Sequence, residues 1–276
     1  MLKKILFLLF LLFFYSTNIV AGDYEEGVDA FVKGNYEVAI EKLKKAAKDG
    51  HVEAQAGLAN MYFYGQGTEI NINEAIHWYT EAANNNHAAS QYQLGELYRR
   101  GIGNVAKDIE TAVKWYTKAA EQDDVLAQYN LGSLYEIVEE YEQALYWWRR
   151  IIKLEVDNPQ KLAADQWTPV EQKRAVFYMA AHNIAIMYAK GHGVSQDHKE
   201  ALYWNFKGAT IGAAKFKAPG NDGLPMYSIA YAYREGEGIE KNIVEACKWF
   251  YLAHVVSVDD NKKFSDSMRK QLDELA

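Results

Sequence analysis

The chain has 276 residues, 49% of them hydrophobic and 14% aromatic, too much apolar material for a disordered protein. Only four prolines, with alanine recurring throughout, favour long helices over a loop-rich β fold. The formal net charge is −7, and about −9 without the leader described next, which leaves 28 basic against 37 acidic side chains; such a chain repels nucleic acid and anionic lipid surfaces.

In chain order, Lys3 and Lys4 precede an apolar run from Ile5 to Tyr15, and small and polar residues follow to Val20-Ala21-Gly22. This is the pattern of a secretory signal peptide over residues 1–21, expected to be cut after Ala21. An uncleaved anchor fits less well, because the run has eleven residues and a span needs about 20. The expected location is therefore outside the cytoplasm, periplasmic or extracellular in a bacterial cell. The single cysteine, Cys247, lies far downstream, so it can neither carry a lipid at the cleavage site nor form an intrachain disulfide.

Residues 22–50 read as a tetratricopeptide-like helix pair turning at Gly34-Asn35-Tyr36, with Ala39, Leu43 and Ala46 inward on the second helix. From there an Ala-x-x-Trp pair recurs: Ala75/Trp78, Ala112/Trp115, Ala144/Trp147, Ala201/Trp204 and Ala246/Trp249. Four of the five follow a Gly-x-Gly (Gly65/Gly67, Gly101/Gly103, Gly191/Gly193, Gly236/Gly238), and each of these follows a tyrosine by three residues: Tyr62, Tyr98, Tyr188 and Tyr233. Each unit reads as helix, glycine turn, helix, with apolar residues at helical spacing on both sides. In the second unit Leu94, Leu97 and Tyr98 face Ala112, Trp115, Tyr116 and Ala119, and Gly95 permits close approach. Asn71, Asp108, Asp197 and Asn242 are the expected N-caps of the second helices. Glu74, Glu200 and Glu245, three residues on, suggest capping boxes.

The third unit departs from this pattern, running from Tyr135 to Tyr141 into Ala144 without glycines. The stretch 153–172, with Pro159, Trp167 and Pro169, reads as an insertion; Thr168-Pro169 is the expected onset of a long helix ending near Lys190. Gly208 to Pro225 reads as a second long connection. Units 1–3 thus occupy 51–152, units 4–5 occupy 173–255, and residues 256–276 are expected to form a C-terminal capping helix.

The pattern Gly193-Val194-Ser195-Gln196-Asp197 with Ala201 and Trp204, and Ala127-Gln128-Tyr129-Asn130-Leu131-Gly132 with Tyr135, resembles the Sel-one-like repeat family, relatives of the tetratricopeptide repeats. The resemblance covers most of residues 51–255. It implies an all-α fold, a right-handed α-solenoid of antiparallel helix pairs, and a role as adaptor or scaffold. Some cysteine-rich relatives have been linked to hydrolysis of cell-wall or antibiotic substrates, which makes a cell-wall or β-lactam-type hydrolase the alternative; this chain lacks their paired cysteines.

No catalytic, cofactor or metal motif emerges. His192 and His198 with Asp197 lie close in sequence, but Asp197 is the expected cap and His192 the variable middle of a turn. The acidic run around Glu139 and Glu140 reads as a solvated face, and the repeat tryptophans read as core. Trp148 occupies the slot held elsewhere by Tyr79, Tyr116 and Phe250. The expected binding surface is the concave stripe of first-helix positions not used in packing. It comprises Asn60 and Tyr64; Gln93, Glu96 and Arg100; Asn130 and Ser133; Asn183; and Ser228, Tyr231 and Glu235. Polar and dotted with Tyr and Arg, it suits a protein or peptide partner, with no nucleic acid, no cofactor and no membrane contact beyond the leader.

Overall fold

A computed structural model describes residues 22–157, 170–212 and 224–257. The expected signal peptide, Trp167, the Pro219–Gly223 stretch and the expected helix within 256–276, beyond residue 257, lie outside these. All regular structure among the described residues is helical. The helices are α1 (22–32), α2 (Tyr36–Lys48), α3 (Val52–Tyr64), α4 (Ile72–Asn84), α5 (Ala88–Arg100), α6 (Ile109–Glu121), α7 (Val125–Ile137), α8 (Tyr141–Asp157), α9 (Val170–Lys190), α10 (His198–Gly212), α11 (Leu224–Glu235) and α12 (Ile243–Ser257). They fall into two compact units, Met1–Asp124 and Val125–Ala276.

In the first unit each helix from α2 to α6 packs on its neighbours in the chain. Ala39, Leu43, Ala54, Leu58, Ala75, Trp78, Tyr79 and Leu94 form one continuous core. Asp23 pins α1 to α2: its carboxylate lies 2.6 Å from Lys45 Nζ and 3.4 Å from Lys42 Nζ. The hydrogen bond from Lys45 holds the Asp23 carboxyl below its ordinary range. Buried glutamines join successive pairs, Gln55 Nε2 donating to the Ala47 carbonyl at 3.1 Å and Gln91 Nε2 to Ala83 at 2.9 Å.

In the second unit consecutive helices pack in the same way. In addition α7 touches α9 and α9 touches α11, so first helices of successive pairs lie side by side, as in a solenoid. Two expectations need correction. Gly208 and Pro225 are not loop residues: α10 runs to Gly212 and α11 begins at Leu224. A side chain at 208 would meet Ala181 Cβ and Pro225 Cγ, both at 3.3 Å, so the glycine is a packing residue. Pro225 sits in the first turn of α11, where a missing N–H leaves no helical hydrogen bond unmade. The expected insertion is also helical at both ends, since α8 extends to Asp157 and α9 starts at Val170.

The turns share one construction. The first glycine takes the left-handed conformation that ends the helix, as at Gly65 (φ 68°), which donates to the Met61 carbonyl. The N-cap side chain then accepts from the backbone three residues on: Asn71 from Glu74, Asp108 from Thr111, Asp197 from Glu200 and Asn242 from Glu245, at 3.0–3.1 Å. The cap's own N–H donates back to the repeat tyrosine's carbonyl, joining Asn71 to Tyr62, Asp108 to Tyr98, Asp197 to Tyr188 and Asn242 to Tyr233. That bond occupies the donor a capping box would use. Glu74 and Glu200 instead accept from the indole N–H of Trp78 (3.3 Å) and Trp204 (3.0 Å), and Glu245 pairs with Lys248.

The second glycine of each turn abuts the start of the preceding pair's second helix. A methyl on Gly193 (φ 67°) would lie 2.8 Å from Tyr141 Cβ and 2.9 Å from its carbonyl carbon, and Gly238 meets His198 in the same way. The glycine-free third turn closes over residues 138–140, Glu140 N–H donating to the Tyr135 carbonyl while Glu139 takes φ 61°. Opposite outcomes are expected at these two sites in thermal or urea unfolding. Gly193→Ala combines left-handed backbone with a backbone clash and should cost about 2–4 kcal/mol. Glu139→Gly should stabilise by about 0.5–1 kcal/mol, because it removes the Cβ penalty.

Candidate functional site

The candidate site is defined by a slot repeated in every pair. In the N-terminal pair Leu43 lies there against Gly27; in four later pairs, one residue after the repeat tryptophan, a ring from the second helix takes that place. Tyr116 packs on Gly95, where a Cβ would come within 2.5 Å of the ring, and Trp148 packs on Gly132. The next first-helix position closes the slot: Asn60 Oδ1 accepts from Tyr79 OH at 2.6 Å, Glu96 accepts from Tyr116 OH, and the Tyr231 ring meets Phe250 edge-on at 5.1 Å. Tyr79, Tyr116 and Trp148 are fully buried there.

The fourth pair breaks the series. Asn205 stands where the others have Leu43, Tyr79, Tyr116, Trp148 and Phe250. Facing it are Ala185 and Ile186, the counterparts of Gly95 and Glu96. A cleft of about 220 Å³ opens here between α9, α10 and α11, lined by Ala185, Ile186, Asn205, Ser228, Tyr231 and Glu237 among others. Its floor is apolar, from Ala201, Leu202 and Ala232. Asn205 is 7% exposed, and its Oδ1 lies 3.1 Å from His182 Nδ1, which donates to it in the Nδ1–H tautomer. Burial holds the His182 imidazole below its ordinary value, the Asn205 bond acting the other way.

The structure brings Ser228 and Tyr231 of the expected stripe to this cleft. Asn60 and Glu96 direct their oxygens at rings of their own repeats. Tyr64 is 60% exposed and Arg100 is exposed on the first unit, while Gln93, Asn130, Ser133 and Asn183 are half-buried. Glu235 is exposed and pairs with Arg234 at 2.6 Å. His192 stacks on Tyr141 at 4.4 Å, Asp197 caps α10, and His198 lines the cleft. No three His, Cys, Asp or Glu side chains gather as a metal site among the described residues. Trp78 and Trp147 are buried, but Trp115, Trp204 and Trp249 are half-buried, as is Cys247.

Three features escaped the sequence reading. His51 and His87 cap α3 and α5 through Nδ1, a role read from Ser, Thr, Asp or Asn. The buried glutamines carried a signal, recurring seven residues before the tyrosine at Gln55, Gln91 and Gln128. Asn205 was visible as the one residue in its slot that is neither aromatic nor aliphatic, since the N-terminal pair has Leu43 there.

The Sel1 repeat family model matches residues 18–51, 52–87, 88–124, 125–155, 179–209 and 226–253, more than half of the chain. The chain belongs to the Sel1 repeat family, whose members are generally protein-interaction scaffolds. The N-terminal pair expected as a tetratricopeptide-like cap is itself matched as a repeat. A Sel1 repeat protein from Oxalobacter formigenes is similar at a TM-score of 0.63 and 27% identity, over 84% of this chain and 81% of that one. The crystal structure of c5321, a protective antigen present in uropathogenic Escherichia coli strains, is similar at a TM-score of 0.64 and 26% identity, over 93% of this chain and 50% of that one. A sel1-like repeat-containing protein of Acanthamoeba polyphaga mimivirus is 46% identical over 56 residues, 20% of this chain and 10% of the relative. The chain thus spans half or less of the last two relatives. No helix among the described residues is long and apolar enough to cross a membrane.

The Glu96 slot gives a pH test. Burial raises its carboxyl, but hydrogen bonds from Arg99 and Tyr116 outweigh this and hold it below the ordinary value. Arg99 donates through Nε at 3.0 Å and Nη2 at 2.9 Å. The folded state therefore binds this proton less readily than the unfolded one. The stabilisation is complete above the unfolded carboxyl value of about 4.3 and drains as pH falls through the lower folded value. Glu96→Gln should lower stability at neutral pH by roughly 1–2 kcal/mol, with the gap closing in strong acid. Urea unfolding at both pH values measures it, and a gap unchanged in acid would assign the effect to packing.

Proposed function

We propose that the chain is a non-catalytic, exported scaffold that holds a partner protein or peptide on the faces of its first helices. The observation that carries this reading is a set of Sel1 repeats whose rings and caps are satisfied internally, while first-helix side chains such as Tyr64 and Tyr231 stay 60% and 47% exposed. Aromatic and arginine side chains presented on a rigid helical surface suit partner binding. Export is supported by Lys3, Lys4, the apolar run from Ile5 to Tyr15 and the small residues before Gly22.

Two measurements test it. Capture from envelope and secreted fractions should yield a partner with the full mature chain and lose it with Tyr64→Ala, Arg100→Ala and Tyr231→Ala combined, at unchanged helicity. Equal retention by the variant would move the surface elsewhere, and hydrolysis of a wall fragment or β-lactam by the purified chain would overturn the non-catalytic assignment. N-terminal sequencing of exported protein should begin at Gly22; accumulation of the full-length chain in the cytoplasm alone would remove the export reading.

A further inference from the structure

The cleft in the fourth repeat is a ring-sized vacancy in an array that elsewhere fills that position. The slot holds Leu43 in the first pair, Tyr79, Tyr116, Trp148 and Phe250 in four others and Asn205 here. The walls a ring would touch remain: Ala185 and Ile186 on one side, Ala201, Leu202 and Ala232 around them. An apolar cavity of about 150 Å³ accommodates a benzene ring, so about 220 Å³ accepts an aromatic side chain. Asn205, 7% exposed, is a buried polar group on that wall. Ser228 and Tyr231 put the cleft next to the first-helix face of α11. Its lining holds one carboxylate, Glu237, with His198, and no Lys or Arg. The nearby Arg234 is engaged by Glu235 at 2.6 Å and by the Tyr231 ring at 4.5 Å.

We infer that this cleft is a specificity pocket for an aromatic side chain of a bound peptide, with a neighbouring lysine or arginine of that peptide paired to Glu237. The partner's ring completes in trans the slot that the other repeats complete in cis. This deepens the scaffold reading and rests on it. The peptide main chain crosses the polar face of α11, where Ser228 and Tyr231 supply hydroxyls, and the ring enters between Ile186 and Leu202.

The test pans a random heptapeptide library on the full mature chain and measures the enriched peptides by calorimetry. The expected result is enrichment of an aromatic residue beside a basic one. Affinity should fall about tenfold or more with Asn205→Phe, which fills the cleft with the ring the fifth pair already carries. Ser228→Trp, which blocks the mouth and leaves the His182–Asn205 pair in place, should do the same. Glu237→Gln should weaken only peptides with the basic residue. Enriched peptides without an aromatic, or bound equally by folded Asn205→Phe and Ser228→Trp, overturn the pocket. So does an absence of enrichment, or enrichment only on Phe216→Ala, which would give the cleft to the chain's own 213–223 segment. If the cellular partner is captured equally by the chain and by Asn205→Phe, the scaffold stands and the pocket falls.

Discussion

The contact on which four of the six described repeats depend is the ring set between their two helices. As Tyr79, Tyr116 and Trp148 it is among the largest fully buried side chains, and on Gly95 and Gly132 a Cβ would collide with it. Its polar end fixes rotation as well as depth. Tyr79 needs Asn60 and Tyr116 needs Glu96, since a buried hydroxyl without an acceptor costs about 1–3 kcal/mol. First-helix residues that look free on a helical wheel, Asn60 and Glu96 among them, are therefore committed to the interior, while Tyr64 and Tyr231 stay exposed.

The turns convert that local pairing into an array. One glycine ends the first helix, the cap starts the second, and the cap's N–H returns to the tyrosine carbonyl, so a seven-residue connection leaves few backbone groups to water. The second glycine lies against the preceding pair, at Tyr141 for Gly193 and at His198 for Gly238. One tripeptide thus sets both the geometry within a repeat and the approach of its neighbour. In the third turn Glu139 adopts the left-handed conformation without glycine, and the connection shortens to three residues.

Most of this was legible because helical spacing, glycine turns and Asn or Asp caps are local signals. The misreadings came where a residue's partner lies elsewhere in the chain. Glu74 and Glu200 carry the spacing of a capping box, yet the tyrosine carbonyl takes the cap's donor and the indole takes the glutamate. Gly208 looked like a break until Ala181 and Pro225 were seen beside it. The expected stripe was drawn from helical spacing, which does not say whether Asn60 faces solvent or Tyr79. Asn205 is the reverse case, since alignment of the pairs exposes it and only the structure shows the space it leaves.

A solenoid tolerates such a lapse because its stability is close to a sum over repeats and their nearest-neighbour contacts. The fourth pair keeps its Asp197 cap, the Trp204–Glu200 bond, the Gly193 contact with Tyr141 and the close approach at Gly208. It gives up a single ring, and His182 with Asn205 supplies a hydrogen bond in its place. A globular core with the same hole would relax around it or lose several kcal/mol. Here α9 and α10 are joined by one turn and α11 and α12 by another, each closed by its own cap bond. The repeat that departs from its neighbours thus keeps its framework while leaving a cleft of about 220 Å³ between α9, α10 and α11.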